Sequence, residues 1–559
     1  MVGVPGVRRL IGARPARLRR RTTTTEEPSE VTAGAGTTER APLVAHPPRW
    51  GAPVAGMIAT IAGIATAESV AAVSPAVPSA LDALGQLVVT ALPGPAVTTA
   101  IDLLGAANRV VLTLASLLVA LLLGAAVGRI GATSLPAAAA TVAVVGLGTA
   151  IAVASRPEAS VPLVVATLVA AALVTIGLLG RLLGHLGLRP PRPSPVSPSP
   201  TDPPVDRRAF LRLGVAASVG ATAMGAAARG SRSVAARMVP PSGPAPQATT
   251  ALPPVRAAQD LATSIEGVSP ALTPIDRFFR IDTAIVLPRV DVADWQLRIT
   301  GDVQRPLALG YDELLARELV EVDATIACVS NEVGGSLIGT ARWVGVPLAE
   351  LIEEAGPTPV AEQVLGRSVD GFTAGFPLAA ALDGRQALVA VGMNGEVLPR
   401  QHGYPARLVV PGLFGYVSAT KWLAAIELTP WDGVDGYWIP RGWSKQGPVK
   451  TSSRIDVPGM GEEVAAGSVV VAGVAWAPTR GIEAVEVLVD DEVASTAELI
   501  PPLSDATWVQ WRAEVPLSPG EHRLTVRATD GDGTLQAVGP ARPAPDGAEG
   551  WHTIGVRAV

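Results

Sequence analysis

Cys328 is the only cysteine in the 559-residue chain. It ends the apolar stretch Asp323-Ala-Thr-Ile-Ala-Cys328, ahead of a loop that runs to Gly334 and Gly335. A lone thiol excludes a disulfide framework, a multi-cysteine zinc site and a cysteine-bound iron–sulfur cluster, since each needs two or more sulfurs. Three roles remain: an inert core thiol, a nucleophile, or a single soft ligand to a metal held mainly by something else. A second group with chemical capacity lies in residues 394–422. There Arg407 and Lys421 supply positive charge, His402 supplies a neutral or cationic donor, and Gly412 and Gly415 let backbone amides approach an anion. A phosphorylated organic ligand suits this set; a solvated basic loop with an incidental histidine has the same composition.

The segments around these residues read as a mixed α+β unit over 266–430. Trp295–Thr300 alternates like a half-buried strand, and Gln386–Val391 and Arg407–Val410 are further strands. Asp312–Arg317 reads as a capped helix, and Pro347–Gly356 has proline at its first turn and glycine at its stop. Residues 431–559 read as a separate domain. Beyond about residue 455 only strands are expected: Ser468–Trp476, Ile482–Val489, Thr507–Val515 and Glu521–Thr529, with Asp490-Asp491 and Asp530–Gly533 as turns. That spacing suits a β-sandwich serving as a packing or dimerisation module.

The amino-terminal third has a different character, and it carries most of the apolar excess behind the mean hydropathy of +0.37. Residues 1–50 form a basic, disordered cytoplasmic tail with Arg8, Arg9, Arg14, Arg17, Arg19, Arg20 and Arg21. Within 51–185, four stretches are long and apolar enough to cross a bilayer: 51–73, 110–127, 135–154 and 161–180. Asp82, Pro93, Pro95 and Asp102 interrupt 81–104, which reads as an interfacial or re-entrant piece. Glu68 reads as an interfacial side chain near the outer end of the first span. Arginines at 129, 181, 189, 192, 207 and 208 place the Pro-rich linker 186–208 in the cytoplasm. The segment 209–230 then opens on Arg207-Arg-Ala-Phe-Leu211 and a weak apolar run, which resembles a twin-arginine export signal. It supplies a fifth crossing through 210–228 and puts the linker 231–265 and everything after it outside the cytoplasm. Ala226–Ala228 would permit cleavage, but retention as an anchor is favoured.

A net charge of −5 gives nucleic-acid binding no electrostatic support. No phosphate-cradling GxxxxGK or GxGxxG element follows a strand. The five histidines, His46, His185, His402, His522 and His552, cannot supply a bis-histidine haem inside the membrane, so neither haem nor iron–sulfur cluster is expected.

Several separated motifs agree in order and spacing. They are Arg277-Phe-Phe-Arg280, a cysteine at a strand end, Met393-Asn-Gly-x-x-Leu-Pro-x-x-His-Gly-Tyr-Pro-x-Arg407 leading to Val-Pro-Gly412, and Lys421-Trp422. With the strand-rich region after them they resemble the sulfite oxidase family of molybdopterin enzymes, over a little more than half of the chain. Added to the α-helical transmembrane part read from hydropathy, the resemblance implies a multi-domain fold with an α+β molybdopterin domain and a C-terminal immunoglobulin-like β-sandwich through which homodimers form. It implies a molybdenum–molybdopterin cofactor with Cys328 as the metal ligand. Phe279, Arg280, Asn331, His402, Arg407, Ser418 and Lys421 would hold the pterin and its phosphate, with Tyr416 and Trp443 beside the reacting centre. Sulfite oxidases follow the ligand cysteine with Ala-Gly-Asn-Arg-Arg; here Asn331 is shared, but Glu332 and Val333 replace both arginines, and Arg441-Gly-Trp443 stands where those enzymes carry a tyrosine. A small dianion loses a charge-assisted partner worth ~1.5–3 kcal/mol, so the expected oxygen-atom donor or acceptor is an uncharged sulfoxide or N-oxide, with sulfite the alternative. Electrons pass to or from a separate partner. The rival from another class is a membrane receptor or adhesion protein whose α+β unit has lost its cofactor.

Overall fold

The computed structural model describes residues 50–74, 77–81, 83, 108–154, 159–188, 208–217, 219–220, 244–284 and 287–559. Four of its helices are long and apolar enough to cross a membrane: α1 (Gly51–Val73), α2 (Asn108–Thr133), α3 (Leu135–Ala154) and α4 (Val161–His185). At 1.5 Å per residue, each spans the ~30 Å of bilayer hydrocarbon. Small residues let them meet backbone to backbone. A Cβ added to Gly128 would lie 2.0 Å from the Ala52 carbonyl oxygen, and one on Gly63 would lie 2.1 Å from Thr175 Oγ1. Glu68 is buried within the protein: its carboxylate accepts from Ser79 Oγ at 2.9 Å and from the Leu81 amide at 3.2 Å, which ties down the turn after α1. Residues 208–217 and 219–220 are helical, beginning at the second arginine of the pair. The tail, most of 81–104, the Pro-rich linker and the end of the proposed fifth crossing lie outside the described residues.

The α+β unit consists of β1 (Gln296–Gly301), β2 (Leu307–Gly310), α5 (Tyr311–Leu315), β3 (Val320–Ala327), β4 (Ile338–Pro347), α6 (Leu348–Ala355), β5 (Gln363–Ser368), β6 (Thr373–Pro377), α7 (Ala379–Leu382), β7 (Leu388–Met393), β8 (Glu396–Val397), β9 (Arg407–Val409), α8 (Gly415–Ser418) and β10 (Leu423–Thr429). They form two sheets, ordered β2-β1-β10-β5-β6 and β3-β4-β7-β8, with β9 paired to β7. Helix α6 starts after Pro347 and ends at Gly356, whose φ of +67° is the left-handed turn glycine adopts without strain. Leu348, Leu351, Ile352 and Ala355 give it one buried face at helical spacing. Strand β3 is covered on both sides. Val322, Ala324 and Ile326 meet Trp343, Phe278 and Val409, whereas Ala327 joins the main core with Leu408, Phe414 and Trp443. That core continues past residue 431, taking in Trp438, Trp443 and Val449.

The β-rich C-terminal unit contains β11 (Ser452–Val457), β12 (Glu463–Val464), β13 (Gly467–Trp476), β14 (Ile482–Val489), β15 (Glu492–Thr496), β16 (Glu498–Leu499), β17 (Val509–Leu517), β18 (Gly520–Asp530) and β19 (His552–Ala558). Two sheets, β11-β13-β17-β16 and β12-β19-β18-β14-β15, share one apolar core around the fully buried Trp511. Asp490 and Asp491, at φ +49° and +74°, make the turn between β14 and β15. The seam with the α+β unit is hydrogen-bonded: Thr325 donates its amide to the Ala506 carbonyl, and the Trp508 amide donates to Thr325 Oγ1 at 2.8 Å.

Candidate functional site

Period-two alternation along β3 sends Ala327 and Val329 into the main core and leaves Cys328 on the other side, as the residue where the strand ends. The thiol is buried, with 9% exposure, yet Cys328 belongs to none of the apolar clusters. Its loop is closed at the base. The Cys328 amide donates to the Leu337 carbonyl, the Asn331 amide donates to the Cys328 carbonyl, and Asn331 Oδ1 accepts from the Leu337 amide at 2.7 Å. Burial pushes the Cys328 pKa up; hydrogen bonding from Ser330 and the charge of Lys421 pull the other way.

On the same sheet, Arg407 opens β9 opposite Ala390 of β7, and its guanidinium lies 5.0 Å from the centre of the Trp343 ring. The side chain is buried, and its Nε and Nη1 donate to the carbonyls of Leu408 and His402 at 3.3 and 3.1 Å. Among the described residues no carboxylate pairs with it, and burial alone drags its pKa down to about 9. Lys421, whose pKa burial lowers to about 8, pairs with Asp282 at 2.9 Å and lies 5.0 Å from the Trp422 ring. Arg280 meets the same carboxylate at 2.9 Å. Two cations therefore share Asp282, and Arg407 pairs with no acid among the described residues. His402, pushed down to about 4 by burial and then by Arg407, is neutral at pH 7; its Nε2 lies 3.3 Å from the Ile275 carbonyl oxygen and its ring meets the edge of Phe278. Phe279 stacks on Phe278 with ring centres 5.3 Å apart.

An aromatic group forms around α8, whose start abuts the end of β3: a Cβ on Gly415 would lie 3.6 Å from the Ala327 carbonyl oxygen. Tyr416 and Trp443 have ring centres 5.8 Å apart, with Trp438 a further 6.2 Å from Trp443. The Tyr416 hydroxyl donates to the Ser444 carbonyl at 2.6 Å, and the buried indole N–H of Trp443 has no hydrogen-bond partner among the described residues. Ser418 turns its hydroxyl back to the carbonyls of Leu413 and Phe414.

Arg280, His402, Arg407 and Lys421 are thus brought into one electrostatic cluster with Phe279 at its edge, and Lys421 links that cluster to Cys328. Tyr416 and Trp443 form a second group, and Asn331 shapes the cysteine loop. Asp282, Phe278, Ser330 and Trp343 were not anticipated. Asp282 had a visible signal, an acid two residues after Arg280.

Residues 284–438 match the family described as "Oxidoreductase molybdopterin binding domain". The chain is 28% identical to human mitochondrial sulfite oxidase over 302 residues, 46% of this chain and 55% of that protein, so it spans little more than half of that relative. Over 157 residues it is 32% identical to "Uncharacterized oxidoreductase YuiH" of Bacillus subtilis (strain 168), covering 28% of this chain and 76% of that one. Among solved structures, the sulfane dehydrogenase SoxCD of Paracoccus pantotrophus matches with a TM-score of 0.45 and 24% identity, over 53% of this chain and 82% of that chain. The chain belongs to the molybdopterin-binding oxidoreductases of the sulfite oxidase family.

Proposed function

We propose that this chain is a membrane-anchored molybdopterin-dependent oxidoreductase that moves an oxygen atom to or from a small uncharged oxide, with Cys328 as the protein ligand to molybdenum. Arg407 carries the reading. A guanidinium buried without a carboxylate, beside a second buried cation, calls for an anion, because taking a charge out of water costs several kcal/mol unless it is compensated. A phosphorylated pterin supplies that anion, and the thiol at the strand end supplies the soft ligand such a metal takes. The residues present fit the group.

When bound, the cofactor supplies two-electron oxygen-atom exchange. The chain's own residues do the rest. Arg407 and Lys421 hold the phosphate, and the neutral His402 offers a hydrogen bond without adding charge. Cys328 gives up its proton on binding; burial opposes that loss, while Ser330 and Lys421 favour the thiolate. Trp443, with its free buried N–H, donates to the substrate oxygen, and Tyr416, whose hydroxyl is already engaged, walls the site. Glu332 and Val333 after the ligand disfavour a dianion. Sulfite is the second reading, favoured by the relatives' names and by Arg441, whose buried Nε lacks a partner.

The four apolar helices anchor the chain. Arg207-Arg208 leads export of the folded catalytic part to the outer side, where a separate electron carrier meets it and the β-rich unit pairs two copies. Metal and pterin analysis of protein from a host able to make the cofactor tests the core of this reading, and light scattering tests the dimer. Stoichiometric molybdenum with turnover of dimethyl sulfoxide or methionine sulfoxide is expected. Rapid sulfite turnover would instead select the second reading. No molybdenum, with Cys328 freely alkylated, would reject the enzyme in favour of a receptor.

A further inference from the structure

The loop that follows Cys328 is closed at its base by its own residues, but its far side is held by the β-rich C-terminal unit. Arg454 of β11, with a side-chain exposure of 11%, donates Nη1 to the Gly335 carbonyl at 2.6 Å. The same guanidinium donates Nη2 to Ser269 Oγ at 2.7 Å and Nε to Asp456 Oδ1 at 2.6 Å. Asp456 in turn accepts from the Ser269 amide at 2.8 Å, so the fork is fixed on three sides. One residue earlier in the loop, the Cδ2–Nε2 side of the His552 ring abuts Gly334. A Cβ at position 334 would fall 2.3 Å from Cδ2 and 2.4 Å from Nε2, and the φ of +75° there already favours glycine. His552 Nδ1 accepts from the Ile455 amide at 3.0 Å, which fixes the ring plane and leaves Nε2 as the protonated nitrogen of the neutral form. Next to it, Gly550 approaches Val333, whose Cγ2 would be 3.7 Å from an added Cβ. Consecutive loop residues 333, 334 and 335 are thus held by the second unit.

We infer that Arg454 and His552 are positioning residues of the reaction centre, which fix the Ser330–Leu337 loop and through it the direction and exposure of the Cys328 sulfur. The β-rich unit is then a wall of the site in addition to any role in pairing copies. The inference rests on the proposed role of Cys328, but its first measurement does not need the cofactor. Four of the nine amides in 329–337 donate within the loop or its base, the Ser330 amide to the Cys328 sulfur among them, so the remainder depends on outside supports to keep one conformation.

The test compares wild type with Arg454→Met and Gly334→Ala in the full chain. The control is Arg512→Ala, which breaks an exposed ion pair with Glu498 in the same unit, away from the loop. In cofactor-free protein, the rate of Cys328 alkylation by iodoacetamide is expected to rise roughly 10-fold in both loop variants, which corresponds to loop opening eased by ~1.4 kcal/mol. Arg512→Ala is expected to react like wild type. In loaded protein, the molybdenum paramagnetic resonance signal is expected to shift in both loop variants, and Arg454→Lys, which keeps the charge and reaches one partner, restores part of it. If Arg454→Met melts before measurement, Gly334→Ala decides alone. Alkylation and resonance signal both unchanged in the variants would overturn the inference. Wild-type protein without molybdenum but with the expected alkylation pattern would sink the functional reading and leave the clamp standing.

Discussion

Arg407→Met removes a buried charge and keeps most of the volume. Burial holds the Arg407 pKa at about 9, three to four powers of ten below the ordinary arginine value. At about 1.4 kcal/mol per factor of ten, that is roughly 5 kcal/mol set against the cation. Folded and unfolded chains both carry the charge at pH 7, so the cost is present in full there; it fades only as the pH rises above about 9, where the folded form releases its proton first. Methionine gives up the two charge-assisted bonds to the Leu408 and His402 carbonyls, about 1.5–3 kcal/mol each. The two terms nearly cancel, so the cofactor-free variant is expected to stay within ~2 kcal/mol of wild type, a Tm change of a few degrees at most. The loaded protein loses far more, since the anion has lost its fork. The assay is thermal melting of detergent-solubilised protein from a host unable to make the cofactor, set beside molybdenum content from a host that can. Inorganic phosphate is expected to raise the wild-type Tm and leave the variant's unchanged. A loaded variant that retains full molybdenum, or a wild type whose Tm phosphate leaves unmoved, refutes the argument from the unpartnered charge.

Cys328→Ser keeps the size and loses the soft ligand, so metal-centred activity disappears while circular dichroism and melting stay near wild type; full activity would refute the ligand assignment. Asp323 and Arg342 form a two-pronged pair with both contacts at 2.8 Å, the acid buried and the guanidinium half-buried, and Asp323→Ala is expected to cost ~1.5–3 kcal/mol, read from urea unfolding of the cofactor-free chain. His522 is held above the ordinary histidine range by Asp490 and the Ser518 carbonyl, and Asp490 is held below the ordinary carboxylate range by the Arg523 amide and His522. The His522 contribution is therefore complete below the ordinary histidine pKa and lost as the pH rises through the raised value; proton resonance titration is expected to return His522 to the ordinary range in Asp490→Asn. Replacing Arg207 and Arg208 together by lysine is expected to keep residues 266–559 on the cytoplasmic side, seen as loss of protease access from outside.

The sequence announces whatever is local. Four apolar stretches become α1 to α4 because hydropathy along a single helix needs no partner to be read. Proline at 347 and glycine at 356 bracket α6 for the same reason. The order His402, Arg407, Lys421 placed the cationic group, since the short segment between β7 and β10 brings these residues together. What stayed hidden depends on contacts made across the fold. Asp282 meets Lys421 from 139 residues away. Glu68 looked interfacial by its depth in α1, and only the returning chain at Ser79 and Leu81 buries it. The hydroxyls of Ser418 and Tyr416 are committed to nearby carbonyls, a matter of rotamer that composition does not encode. Of the Phe278-Phe279 pair, Phe278 faces both His402 and Trp343, which a doublet of identical residues gives no means to foresee.

The contact between Arg454 and Gly335 joins residues 119 apart in the chain. A ribosome delivers the cysteine strand long before it delivers the guanidinium that steadies its loop, so the nascent α+β unit emerges with that loop unsupported. Only a chain synthesised through its β-rich unit has the far side of that loop braced.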